Sequence, residues 1–343
     1  MKGKLKMKKI LTSALILCML FALCACGQQA ETPAADAPSA EVSAAESSAA
    51  ETASDEGVDY SALTIAWSPA NLSNELQVTL TDCIKESVEG LGATFLSSDP
   101  QGDPVKQVEQ VENYIARGVD MILMSPNDAS ACGIVLQESV EANIPMIIVN
   151  CKMDDMTGAL CYVGCDDLSA GEILMEYAAN LLGGKGTIGI LRGPDGLDAA
   201  IKRTTGIDNI LKNYPDITVF SSLAANWKTA EAMSTTENWL QSTDLNAIIC
   251  ENDEMAVGAV EAIKGQGKSC DDVLVFGIDG IPSAYESISN GEMKATLLQD
   301  ATAIAAKTVE VLQIYFENGT VESEYIIPWV VIDSSNIAEY YAG

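Results

Sequence analysis

The chain contains no histidine. That excludes Ser-His-Asp and Cys-His catalysis, histidine metal sites and most acid–base schemes at neutral pH. Basic residues are scarce, with 19 lysines and arginines against 49 acids and a formal net charge of -30. Nucleic-acid binding needs a basic face, so no nucleic-acid partner is expected. No CxxC pair occurs, and an odd number of cysteines lies beyond Cys26: Cys83, Cys132, Cys151, Cys161, Cys165, Cys250 and Cys270. Their spacing fits no common zinc framework. They read as small buried hydrophobes in a reducing setting, with Cys151 and Cys165 as pocket lining. No metal or cofactor is expected.

Apolar residues make up 48% of the 343 residues, enough for a folded body of two domains. Residues 1–25 read as a leader: a lysine-rich start, an apolar run too short to span a membrane comfortably, and then Leu23-Cys24-Ala25-Cys26. The last four residues look like a bacterial lipoprotein signal, which implies cleavage before Cys26 and a lipid on its sulfur. Residues 26–60 are rich in Ala, Ser, Glu, Thr and Pro. Such a stretch cannot bury enough apolar surface to offset chain entropy, so it reads as a disordered acidic linker.

From Leu63 onwards, apolar strands alternate with segments of helical periodicity, which predicts parallel sheets covered on both faces. Asp103-Pro104 before a periodic run and Gly118 after it mark one helix at both ends. Ala247-Ile248-Ile249-Cys250 reads as a buried strand and Met255 onwards as a helix, so Glu251-Asn252-Asp253-Glu254 sit at a strand's carboxyl end. In open α/β sheets ligands bind there. The halves also echo each other. Val119–Asp128 resembles Leu245–Asp253, and Ile144–Asn150 resembles Val273–Asp279, at nearly equal spacing. Two similar lobes with facing strand ends would enclose a cleft. Two motifs mislead. Gly183-Gly184-Lys185-Gly186 follows a helix and precedes a strand, so it reads as a helix C-cap rather than a phosphate loop. Asp154-Asp155 and Asp166-Asp167 lack the spacing of a calcium loop and read as turn and helix-start residues.

Asn252-Asp253-Glu254-Met255-Ala256, Gly277-Ile278-Asp279-Gly280 and Gly291-Glu292-Met293-Lys294-Ala295-Thr296 carry a resemblance that extends from Leu63 to Ile332. The body resembles the ribose-type periplasmic sugar-binding proteins, the receptors of bacterial sugar ABC importers. The resemblance implies two doubly wound parallel-sheet lobes joined by a multi-strand hinge. Residues 61–165 with 300–328 would form the N-terminal lobe, and 166–299 with 329–343 the C-terminal lobe. It implies ligand-binding roles for Asn74, Gln77, Asn150, Trp227, Asn252, Asp279 and Gln299, with Leu76 beside them. Trp227 would offer a flat apolar face, and Asp279 with the amides a polar fork.

Where the ribose binders carry two gripping arginines, this chain has Cys151 and Ile201, so the pocket reads as less charged and the ligand as neutral. Arg203 and Asp198 lie nearby in sequence. The expectation is a monomeric receptor, lipid-anchored to the outer face of the cytoplasmic membrane, that delivers a neutral monosaccharide or polyol to an ABC permease. The alternative is a sensory receptor coupled to a membrane kinase or chemoreceptor. A glycosidase using Asp253 and Asp279 is disfavoured, since no acid has an evident apolar pocket to raise its pKa.

Overall fold

A computed structural model describes residues 57–342. The leader, the lipobox cysteine Cys26 and nearly all of the acidic linker lie outside the described residues. The first sheet is built from β1 (Thr64–Ser68), β2 (Thr94–Ser97), β3 (Met121–Met124), β4 (Met146–Val149), β5 (Cys161–Gly164) and β11 (Glu324–Ile326). Its order is β11-β5-β4-β3-β1-β2, and every pairing is parallel. The second sheet uses β6 (Lys185–Arg192), β7 (Asp216–Ala224), β8 (Ala247–Cys250), β9 (Leu274–Asp279), β10 (Ala295–Leu298) and β12 (Val330–Asp333), in the order β12-β10-β9-β8-β6-β7.

The central strands are apolar runs because both faces are covered. In β1, Ile65 and Trp67 pack on one side and Ala66 on the other; in β8, Ile248 and Cys250 oppose Ala247 and Ile249. On the first sheet, α1 (Glu75–Gly90) and α9 (Ala301–Asn318) cover one face, and α2 (Pro104–Arg117) and α3 (Gly133–Glu141) the other. On the second, α4 (Asp167–Leu181) and α5 (Asp198–Leu211) oppose α6 (Thr229–Ser242), α7 (Asp253–Gly265) and α8 (Pro282–Ser289). The caps of α2 form as its sequence requires. Asp103 accepts from the Val105 and Lys106 amides, Pro104 begins the helix, and Gly118 ends it at φ 67°. Gly183 and Gly184 likewise end α4 at positive φ, ahead of β6.

The echoed sequences occupy equivalent places. β3 and β8 are each third in the order counted from the β2 or β7 edge, and β4 and β9 are each fourth. The chain passes from the first sheet to the second after β5, returns after β10, and crosses again between β11 and β12.

Three points correct the sequence reading. Neither β5 nor β11 is legible as a strand, because each has only four or three residues and draws its pairing from neighbours. The second sheet is not wholly parallel, since β12 runs antiparallel to β10. Helix α5 begins at Asp198, where the loop after β6 delivers it, ahead of Lys202, from which its sequence reads as helical.

Helices α4 and α5 meet at backbone distance. A Cβ on Gly171 would lie 2.1 Å from the Arg203 carbonyl oxygen, and one on Gly206 would lie 2.2 Å from that of Leu168. This approach brings the start of α4 against Arg203 of α5. Gly206→Ala should therefore destabilise the fold by about 1–3 kcal/mol through overpacking, despite alanine's better helix propensity. Urea denaturation of wild type and variant would measure the difference.

Candidate functional site

The two sheets turn the carboxyl ends of their strands towards each other, and a cavity of about 110 Å³ lies between them. It opens where the strand order reverses, between β1 and β3 in one lobe and between β6 and β8 in the other. All seven residues singled out from sequence line it: Asn74, Gln77, Asn150, Trp227, Asn252, Asp279 and Gln299. Leu76 and Cys151 line it too. Asn71 and Asn127 also reach it without having been singled out; no motif marks Asn71, whereas Asn127 stands in the Val119–Asp128 echo at the place of Asn252.

Arg203 is the main addition. Its side chain lines the cavity and is 3% exposed. Its Nε donates to Asp167 Oδ1 at 2.8 Å, Nη1 to the Glu251 carbonyl, and Nη2 to Gln299 Oε1 at 3.2 Å. Asp279 Oδ1 lies 3.6 Å from Nη1. The guanidinium carbon stands 5.6 Å from the ring centres of both Trp227 and Trp329, within cation–π range. Burial alone would lower the Arg203 pKa, but Asp167 and Asp279 outweigh it and hold the pKa above its ordinary value. The pocket is thus not stripped of charge, as the loss of arginine at positions 151 and 201 suggested. Ile201 is 48% exposed and points away, whereas Arg203, two residues on, points in. Asp198 lies outside this cavity, in a neighbouring crevice with Lys152 and Lys202. Cys165 is there as well, so of the two cysteines only Cys151 is pocket lining. Asp167, read as a helix-start residue, is a buried ion-pair partner; Asp166 is the N-cap of α4.

The amides are largely engaged within the protein. Asn74 caps α1 by accepting from the Gln77 amide, and Asn252 caps α7 by accepting from the Met255 amide. Each donates one Nδ2 hydrogen to the Glu254 carboxylate. Gln299 Nε2 donates to Asn150 Oδ1 at 2.9 Å, and Gln77 Nε2 to Ser125 Oγ at 3.2 Å. Each primary amide carries two N–H donors, so each keeps one not used in these bonds. Asp279 is the complement. It is 3% exposed, and its carboxyl oxygens accept no hydrogen bond among the described residues. Burial, reinforced by Glu254, Asp253 and Asp167, pushes its pKa up against the pull of Arg203. A ring of spare N–H donors around a carboxylate that accepts no hydrogen bond among the described residues suits a guest whose groups both donate and accept, as hydroxyls do.

The backbone is strained at three of these positions. Asn150 has φ 69°, Trp227 φ 60° and Asp279 φ 133°, a region costly for residues with a Cβ. The Trp227 indole lies directly on Gly193, where a Cβ would fall 2.0 Å from the ring. Burial pushes the Cys151 thiol up, so it meets the cavity protonated.

Acids with raised pKa values do exist, contrary to what the sequence suggested. Burial pushes Glu251 to about 7, although Thr204 and the Gly193 amide hydrogen-bond to it. Burial likewise pushes Asp253 to about 7, against hydrogen bonds from Thr296 and the Ile281 and Gly280 amides. Neither lines the cavity.

A family model for the periplasmic binding protein domain matches residues 65–320. The chain belongs to the periplasmic binding protein family. It is 34% identical over 242 residues to a xylitol-binding protein of Mycolicibacterium smegmatis, covering 69% of this chain and 68% of that one. It is 29% identical to the ribose import binding protein RbsB of Escherichia coli, covering 76% and 88%. Among solved structures, an ABC transporter solute-binding protein of Bacillus halodurans with bound myo-inositol superposes with a TM-score of 0.78. The identity is 35%, covering 84% of this chain and 99% of that one. Members of this family are binding proteins, not enzymes, and several relatives bind sugars or polyols for ABC transporters. The architecture of two α/β lobes, each with a largely parallel sheet, is that of the family.

The raised acids give the periplasmic binding protein a pH signature. A carboxyl whose pKa is higher folded than unfolded favours the folded state while protonated. That stability is lost as pH rises from the ordinary carboxylate range to about 7. Thermal midpoints should therefore fall between pH 5 and pH 7.5. Glu251→Gln should remove roughly 1–3 kcal/mol of that slope, measured by calorimetry at both pH values.

Proposed function

We propose that this chain is a lipid-tethered extracellular receptor that closes on a neutral monosaccharide or polyol and delivers it to an ABC permease. The observation that carries the reading is the buried carboxyl of Asp279, which faces Arg203 at 3.6 Å but accepts no hydrogen bond among the described residues, set beside spare amide donors and the Trp227 face. Hydroxyls would give their protons to Asp279 and take N–H bonds from Asn74, Asn150, Asn252, Gln299 and Gln77, while the C–H side lies on Trp227. Among the described residues the charges on the wall are Arg203 and Asp279, which oppose each other, so an uncharged guest leaves that balance intact. Similarity to the xylitol-binding and myo-inositol-bound proteins supports a guest of six or so carbons bearing many hydroxyls.

In this reading the lobes are residues 61–165 with 300–328 and 166–299 with 329–343. The receptor works as a monomer held at the membrane by lipid on Cys26. Guest contacts to both lobes favour the closed form, which the permease reads.

Isothermal titration against pentoses, hexoses, linear polyols and cyclitols should give heat with at least one member; no response from any would refute the reading. Asp279→Ala should weaken that binding by about tenfold or more, because a buried hydroxyl loses its partner. Trp227→Ala should weaken it less. For the tether, Cys26→Ala should abolish metabolic labelling of the chain by a radioactive fatty acid.

A further inference from the structure

Glu254 is not a wall residue of the cavity, yet it touches both lobes. It stands in the first turn of α7, half-buried, and its Oε1 accepts from Asn74 Nδ2 at 2.8 Å and from the Glu75 amide at 3.0 Å. Both donors belong to the start of α1 in the opposite lobe. Its Oε2 accepts from Asn252 Nδ2 of its own lobe. One carboxylate therefore faces the N-termini of two helices, where negative charge is favoured, and it gathers the cap asparagines of both. A second cross-cleft bond runs from the Ala129 amide to the Gly196 carbonyl at 3.2 Å, on loops that follow β3 and β6. That bond involves backbone alone. A neutral side-chain bond also spans the lobes, from Gln299 Nε2 to Asn150 Oδ1 at 2.9 Å, so among the described residues Glu254 supplies the charged side-chain contact between them at the cavity's polar wall.

The geometry points to Glu254 as the positioning residue of the receptor: it latches α1 to α7 and turns the Asn74 and Asn252 amides into their binding orientation. This rests on the receptor reading above. With each asparagine oxygen committed to its helix cap and one N–H committed to Glu254, the remaining N–H of each has a fixed direction. Without the carboxylate the amides are free to rotate, and closure loses its charged cross-lobe contact. The α1 bonds break when the lobes part, so their contribution falls on the closed state rather than on the folding of either lobe.

The test uses the full-length wild type, Glu254→Ala and Glu254→Gln. Binding of myo-inositol, xylitol and D-ribose is measured by titration, and lobe separation by small-angle scattering with and without each probe. Glu254→Ala should bind the probe taken up by wild type about tenfold more weakly or worse, and should fail to reach the wild-type closed envelope. Its thermal midpoint without probe should fall only slightly, by the loss of one favourable charge at the start of α7. Glu254→Gln keeps an oxygen for Asn74 and the Glu75 amide, so it should recover most of the closure and bind within a few-fold of wild type. Wild-type affinity together with a wild-type envelope in Glu254→Ala would overturn the latch. So would a Glu254→Gln variant no better than Glu254→Ala. If wild type binds none of the three probes, the latch is judged on unliganded scattering: a more open Glu254→Ala supports it, and identical envelopes overturn it. A response of wild type to none of the wider sugar and polyol panel is the separate failure of the receptor reading.

Discussion

The arrangement around the cavity depends on a single buried cation. Arg203 is held from four directions: by Asp167 at the start of α4, by the Glu251 carbonyl at the end of β8, by Asp279 at the end of β9 and by Gln299 in a chain crossing between lobes. Burying a guanidinium costs several kcal/mol unless charge and hydrogen bonds replace the lost water. Here they do, and the need for them dictates what surrounds the cation. Gln299, anchored through its oxygen, extends its amide to Asn150 of the other lobe. The order of the second lobe's wall is thereby passed to the first through two hydrogen bonds. The close approach of α4 and α5 at Gly171 and Gly206 belongs to the same constraint, since it sets Asp167 and Arg203 within reach of each other.

The site also concentrates unfavourable features. Three wall residues sit at positive φ, an Asp has no hydrogen-bonding partner for its carboxyl, and Glu251 and Asp253 are acids buried beneath the wall. Such features persist only where the rest of the structure over-determines them, and they gather at functional sites. The two lobe cores provide that rigidity. They are built from continuous apolar strands with helices on both faces, and the strained residues stand at the strand ends, outside the packed layers.

Much of this was legible in the sequence, because it rests on local rules. The helix bounded by Asp103-Pro104 and Gly118, the apolar runs of β3 and β8, and the strand-to-helix turn at Asn252 each announce themselves within a dozen residues. What was not legible depends on distant groups converging. Arg203 was noted as a neighbour of position 201 but its reach was left open, because two residues along a helix turn a side chain by about 200° and only the docking of α5 decides which one faces in. The acids Glu251 and Asp253 gave no sign of their burial, because their depth comes from segments remote in sequence, Gly193 to one and Gly280 to the other. The strands β5 and β11 lack the unbroken aliphatic run of β3 or β8, and their pairing with each other and with β4 comes from segments remote in sequence.

The route of the chain has a consequence for its synthesis. The first lobe is completed by α9 and β11, and the second by β12, all encoded after residue 300. Domains commonly fold as they leave the ribosome, the earliest first. Neither half of this protein can do so to completion before the segments beyond residue 300 have emerged. Until then the nascent chain carries two unfinished sheets, each with an edge exposed, so the two lobes reach their final form together rather than one after the other.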